Sequence, residues 1–256
     1  MRLIRRDPEK GYIDTFLWVP KKHVNINSVR GALTFSFYDH LGNEKVLQLF
    51  QEAPDHILVP REFWKPEELP FTIVNCCPTS YKTTRVQSKI ILDAQYPEET
   101  TQRDAIEQML PARGGILQLR CGGGKTVIML DLIAKLKVPS IIIVDNTQLL
   151  HQWRAEIEKH LIAPDGVGLV QGSTLNWEKD IVLATYQTLA MRRDKLPRQM
   201  KEHFGVAIWD EAHHVSAPVF SRTASMFYGR RFGLTATPER VDGTQVVNYQ
   251  DRKSVV

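Results

Sequence analysis

At 256 residues, 43% hydrophobic and 24% charged, the chain can bury a sizeable core and is composed like a globular protein. A formal charge of +4 is compatible with a polyanionic partner without demanding one. No apolar run approaches the ~20 residues that span a bilayer, and the basic start MRLIRRDPEKGYID has no apolar segment behind it, so neither a membrane partner nor a secretory signal is expected.

Through Leu92 the chain reads as short strands, TFLWV, ALTFSFY, KVLQLF, HILVP and FTIVNCC, punctuated by Pro, Gly, Asn and Asp, with a helical turn in REFWKPEEL. A smaller β-rich (α+β) domain is expected over residues 1–92. Its slight surplus of basic residues does not by itself define a nucleic-acid surface. Cys76, Cys77 and Cys121 suit a reducing compartment, which points to the cytoplasm, and adjacent Cys76 and Cys77 lack the spacer of a zinc knuckle.

After Asp93 the pattern changes. TTQRDAIEQML has helical spacing, GILQLR is strand-like, KTVIMLDLIAKLK is helical, and SIIIVD is a continuously apolar run typical of a buried parallel strand. The helix TQLLHQWRAEIEKHL and the strands DIVLATY, FGVAIWDEAHH and FGLTAT follow. This alternation predicts an α/β domain with a central parallel sheet over residues 93–243.

In GGILQLRCGGGKT a strand feeds a glycine-rich turn that opens a helix. Gly122, Gly123 and Gly124 permit backbone conformations that a Cβ forbids, so successive N–H groups can face one concavity at a helix N-terminus. After Cys121 and these glycines, Lys125 is placed to reach the β- and γ-phosphates of a nucleotide, and Thr126 to offer a hydroxyl to magnesium. Leu119 stands where such a loop ordinarily begins with Gly, and a strand-to-helix turn with a surface lysine is the competing reading.

In VAIWDEAHH, Asp210 ends an apolar strand, where open α/β sheets place their ligand crevice. Its carboxylate suits magnesium, and Glu211 is placed to polarise a water as general base. A solvated strand end is the alternative. Trp209 reads as core packing and His214 as surface.

The ordered set of motifs is more specific than either piece. DEAH at Asp210 to His213, followed by LTATP at Leu234 to Pro238, resembles motifs II and III of superfamily 2 helicases. The resemblance implies a RecA-like P-loop NTPase domain using ATP and Mg2+, with His213, Thr235 and Thr237 coupling the ATP site to nucleic acid. YPEETTQRDAI resembles the segment whose glutamine recognises adenine, which makes Gln102 the candidate. VDNTQLLHQWRAEI resembles motif Ia, implying nucleic-acid contacts by Thr147 and Gln152, with Trp153 as packing. LATYQTLA resembles the next motif, placing Thr185 and Gln187 along the strand path. LRCGGGKT and GLTATPER are most similar to the branch of the xeroderma pigmentosum group B repair helicase and its phage and prokaryotic relatives, where an apolar residue at the Leu119 position is familiar.

What the resemblance implies is the ATP-binding half of an ATP-dependent DNA helicase or translocase in a prokaryotic or phage-infected cell. A restriction-type motor subunit and a binding-only nucleic-acid module are the alternatives. It also implies a duplex DNA contact by residues 1–92, with a structural cap as the rival. The family's second RecA-like domain, which supplies an arginine finger in cis, has no room in the roughly eighteen residues after Pro238, so residues 244–256 are expected to be a truncated tail. The final DRKSVV, Asp251 to Val256, matches the in-frame translation of a common sequencing adapter and is expected to be an artefact.

Overall fold

The computed structural model describes residues 6–38, 42–92, 97–212 and 223–236. Contacts divide these residues into two compact units, with the boundary between Cys77 and Pro78.

The first unit contains β1 (Gly11–Ile13), β2 (Phe16–Pro20), α1 (Ile26–Ala32), β3 (Thr34–Tyr38), β4 (Glu44–Gln48), β5 (Gln51–Glu52), β6 (His56–Pro60) and β7 (Ile73–Asn75). Five strands form one sheet in the order β5-β6-β2-β1-β7, and β3 pairs with β4 as a separate hairpin. Ile13, Leu17, Val19, Ile57 and Val59 on the sheet bury with Val29 and Leu33 from α1 and its end. The segment read as a helical turn is a 3-10 turn at Pro66–Glu68. Sequence periodicity does not reveal α1, which is only seven residues long and is started by Asn25, whose side chain accepts from Ser28 N–H.

The second unit contains β8 (Gln87–Ser88), α2 (Pro97–Met109), β9 (Gly114–Gln118), α3 (Lys125–Leu136), β10 (Ser140–Val144) and α4 (Thr147–His160). It continues through β11 (Leu161–Ile162), β12 (Val167–Gln171), β13 (Thr174–Asn176), β14 (Ile181–Thr185), α5 (Tyr186–Arg192), α6 (Arg198–His203), β15 (Val206–Trp209) and β16 (Arg230–Thr235). Seven strands form its sheet in the order β13-β12-β14-β10-β15-β16-β9. Neighbours from β12 to β9 are parallel, and only β13 runs antiparallel. Sheet and helices together are the expected α/β architecture.

Alternation along the strands separates two cores. Ile142, Val144, Leu183, Ile208, Phe232 and Leu234 face the layer of α2, α3 and α4. Ile141, Ile143, Val182, Ala184, Ala207 and Trp209 face the other layer, with Met200 and Phe204. Both faces are covered, as a parallel sheet requires.

From β9 the chain crosses to β10, leaving two places that β15 and β16 later fill. The C-terminal ends of β9, β16, β15 and β10 therefore meet at one edge, flanking the point where the direction of winding reverses.

Residues 78–92 pack with the second unit, not with the strands before them, which moves the boundary upstream of the expected residue 93. Val86 is in the α2–α3–α4 core, β8 pairs with β11, and Lys89 Nζ donates to Glu158 O at the end of α4 across 2.8 Å. These are contacts with residues seventy positions away, which local composition does not reveal.

Candidate functional site

The loop from Leu119 to Gly124 joins β9 to α3. Gly122 and Gly124 have φ of 79° and 83°, the left-handed region in which glycine is free of Cβ strain. Gly123 N–H donates to Arg120 O across 3.0 Å and closes the turn. No side chain caps α3, a twelve-residue helix, so its N-terminal dipole faces the loop. Lys125 lies over this loop, its Nζ donating to Leu119 O at 2.9 Å and to Arg120 O at 3.5 Å. Thr126 follows, half-buried, and Cys121 is exposed. Gln102 from α2 lies directly against the loop, where a Cβ on Gly124 would collide with its amide. The residues expected for adenine and for phosphate are thus neighbours.

Asp210 follows β15. Its N–H donates to Ile143 O at 2.9 Å, extending the pairing with β10 by one residue. Oδ1 accepts the Glu211 N–H at 3.0 Å and Oδ2 accepts the Trp153 indole N–H at 2.7 Å. Burial pushes the carboxyl above its ordinary value; Trp153 pulls it down, the charge of Glu211 pushes it up, and the ammonium of Lys125 pulls it down. Lys125 and Asp210, 85 positions apart, therefore feel each other's charge at the same sheet edge. A buried carboxylate disfavoured as an anion, at the same sheet edge as a lysine and an uncapped helix start, fits a divalent cation bound with a polyphosphate. Glu211 is half-buried at φ 46°, a left-handed conformation that is uncommon for a residue with a Cβ.

Thr235 ends β16 between these two places. It is 2% exposed, lies in register with Gln118, and its carbonyl accepts Leu119 N–H at 3.2 Å. β16 is therefore fastened to the residue whose carbonyl holds Lys125. His213 and Thr237 lie outside the described residues, as does the tail from Asp251 to Val256. Trp209 is wholly buried, as expected of core packing.

A groove of about 840 Å³ opens at the ends of β10, β14 and β12. Thr147, Thr185 and Gln187 line it, together with Gln171, Arg192 and Lys195. Thr147 Oγ1 accepts from Gln171 Nε2 at 2.7 Å. The Thr185 hydroxyl is committed to the start of α5, donating to Thr188 Oγ1 at 2.8 Å. Gln152 is exposed on α4 and does not line the groove.

Sequence reasoning missed Gln171, Arg192 and Lys195, because the β12–β13 hairpin, the end of α5 and the turn after it carry no motif. It also missed the second function of Trp153, although a buried indole N–H needs an acceptor, and this was the available signal.

Residues 95–240, more than half of the chain, match the family described as "Type III restriction enzyme, res subunit". Over 149 residues the chain is 32% identical to "DNA 3'-5' helicase XPB" of Kineococcus radiotolerans, covering 56% of this chain and 27% of that protein. Over 143 residues it is 34% identical to "DNA 3'-5' translocase XPB2" of Sulfurisphaera tokodaii, covering 56% and 31%. The chain thus spans less than a third of these relatives. The crystal structure of the UvsW helicase from bacteriophage T4 superposes with a TM-score of 0.61 at 17% identity, over 96% of this chain and 98% of that one, a likeness of fold. The motifs along the winding-reversal edge and the match to residues 95–240 agree: the chain belongs to the Type III restriction enzyme res-subunit family of superfamily 2 helicases, and is similar over that region to group B-type helicases.

Proposed function

We propose that this chain is the ATP-binding half of an ATP-dependent DNA helicase or translocase. The observation that carries the reading is geometric: Lys125, over the glycine loop that follows β9, and Asp210, directly after β15, lie at the same C-terminal edge of one parallel sheet with only β16 between their strands. In this reading the backbone N–H groups of Gly122 to Gly124 and the start of α3 receive the phosphates, Lys125 leaves the Leu119 carbonyl for the β- and γ-phosphates, and Gln102 recognises adenine. Thr126 and Asp210 hold magnesium, which when bound would neutralise charge on the phosphates. Glu211 takes a proton from the attacking water. Thr235, joined to Leu119 through its carbonyl, transmits changes at the loop to β16, with His213 and Thr237 as the further coupling residues.

The groove takes the polynucleotide. Thr147, Gln187, Arg192 and Lys195 suit contacts to a sugar–phosphate backbone, which position a strand without reading its sequence. Thr185 acts by ordering α5, because its hydroxyl is already used. The relatives' names favour DNA over RNA. In the first unit, Lys21 and Arg30 pair with Glu52, Lys22 with Glu9 and Lys65 with Glu68, which reduces the phosphate attraction a duplex contact there would need. The motor reading does not depend on that contact.

Movement along DNA requires a second RecA-like domain closing on the nucleotide. The family's description as a type III restriction enzyme res subunit favours a second reading, the motor of a restriction-type enzyme. Both readings share this nucleotide site, and DNA cleavage by the complete protein would separate them.

The test is binding of mant-ATP to the purified chain with and without magnesium. Binding strengthened by magnesium and lost in Lys125→Ala supports the reading. Binding that ignores both the metal and Lys125 contradicts it.

A further inference from the structure

Asp210 is held from two sides by helices whose N-terminal ends lie at the groove. Trp153 on α4 donates its indole N–H to Oδ2 across 2.7 Å. Tyr186, the first residue of α5, donates its hydroxyl to the backbone carbonyl of Asp210 across 2.9 Å. Both rings are buried, Trp153 at 2% exposure and Tyr186 at 0%. α4 starts at Thr147 and α5 directly follows Thr185, and both of these residues face the groove. From Thr147 to Trp153 is roughly 9 Å of helix, less than two turns.

The geometry points to Trp153 and Tyr186 as positioning residues for Asp210, and to α4 and α5 as the levers by which a strand in the groove adjusts that carboxylate. This rests on the reading of Asp210 as the magnesium carboxylate. A carboxylate has about four lone-pair sites. Glu211 N–H takes one on Oδ1 and Trp153 takes one on Oδ2, so each oxygen keeps a lone pair while rotation of the group is blocked. Tyr186 fixes the other end of the residue, through its carbonyl. A cation then meets a carboxylate already aimed, and the ordering cost at binding is small.

Packing confines the route. Trp153 shares its core with Leu150 and Ile157 of α4, and with Val144 of β10 and Leu183 of β14. Tyr186 and Leu189 of α5 lie in the opposite core, with Ile143 and Trp209. The two hydrogen bonds thus reach Asp210 from opposite faces of the sheet. A polynucleotide that draws on Thr147 or on α5 moves a helix whose inner side chain is bonded to Asp210. Packing alone would also bury both rings. It would not give either donor an effect on the metal.

The experiment places 3-benzothienylalanine at position 153, which keeps the indole's shape with sulfur in place of N–H, and compares it with Tyr186→Phe and Asp210→Asn in the full chain. Mant-ATP anisotropy is followed through a magnesium titration, with and without a single-stranded oligodeoxynucleotide. The expected result at position 153 is a magnesium midpoint raised at least about tenfold with metal-free binding unchanged, on the scale of one hydrogen bond to a charged group. In Tyr186→Phe the oligonucleotide should no longer shift the midpoint as it does in the unsubstituted chain. An unchanged midpoint at position 153, with Asp210→Asn raising it, overturns the positioning role and leaves the nucleotide reading intact. An unchanged midpoint in Asp210→Asn overturns both. An oligonucleotide that shifts neither chain, or shifts both equally, overturns the link to the groove.

Discussion

The side-chain amide of Gln102 occupies the space in which a Cβ on Gly124 would stand. Gly124 is also at φ 83°, so two independent constraints, one conformational and one steric, select glycine at the last place before Lys125. The contact joins α2 to the phosphate loop and makes the two sensitive to each other.

Gly124→Ala should therefore destabilise the second unit by about 1–3 kcal/mol and weaken mant-ATP binding at least about tenfold. In a Gln102→Ala background the stability cost should fall by at least about 0.5 kcal/mol, because the collision is relieved and only the backbone strain remains. Urea denaturation of the four proteins measures this. Strict additivity would show that the close approach carries no energy.

The boundary at Pro78 makes a second prediction. A polypeptide beginning at Pro78 keeps Val86 in the core, the β8–β11 pair and the Lys89 contacts to the end of α4, whereas one beginning at Asp93 loses all three. Burying a side chain such as Val86 is worth about 1.5–3 kcal/mol before the other contacts are counted. The shorter polypeptide should melt several degrees lower. Equal melting temperatures would mean that residues 78–92 only decorate the second unit.

Much of the second unit is legible in the sequence because its strands are short apolar runs and its helices carry caps and periodic faces. SIIIVD and VAIWD read as buried strands for the same reason that they are: both sheet faces are covered. The phosphate loop is legible because its glycines, Lys125 and Thr126 are contiguous. What is not legible depends on distant pairing. The β12–β13 hairpin has no apolar alternation strong enough to mark it, so Gln171 and its bond to Thr147 stay hidden. Trp153 carries an apolar body and one polar atom, and the pattern of α4 shows only the body. The boundary at Cys77 follows from contacts across seventy residues.

Asp210 gives a pH dependence. Burial is the largest influence and raises its carboxyl above the ordinary aspartate value. The folded chain then binds this proton more tightly than the unfolded chain, so the group's contribution to stability is present below the ordinary aspartate value and lost as pH rises through the raised one. Mg·ADP should act in the opposite sense, because it is held by the ionised form. The rise in melting temperature produced by Mg·ADP should shrink as pH falls from neutrality toward the aspartate range, and this part of the change should be absent in Asp210→Asn. Thermal melts across that range measure it, and an increment independent of pH in both proteins would contradict the assignment of the carboxylate.

The groove gives a salt dependence. If Lys195 neutralises one phosphate of a single strand, Lys195→Ala should reduce the slope of log affinity against log salt by about 0.7 and weaken binding similarly for unrelated sequences. Gln152→Ala, on an exposed position outside the groove, should leave both unchanged. Oligonucleotide anisotropy at several salt concentrations decides the matter. A Gln152 effect equal to that of Lys195 would put the strand elsewhere on α4.

The most direct measurement is an experimental structure of the chain with magnesium and a non-hydrolysable ATP analogue. The account predicts a triphosphate against Gly122 to Gly124, the Lys125 ammonium on its terminal phosphates, and the metal on Thr126 and on Asp210, directly or through one water. A nucleotide whose metal lies beyond the reach of Asp210, or that binds away from Lys125, would contradict it.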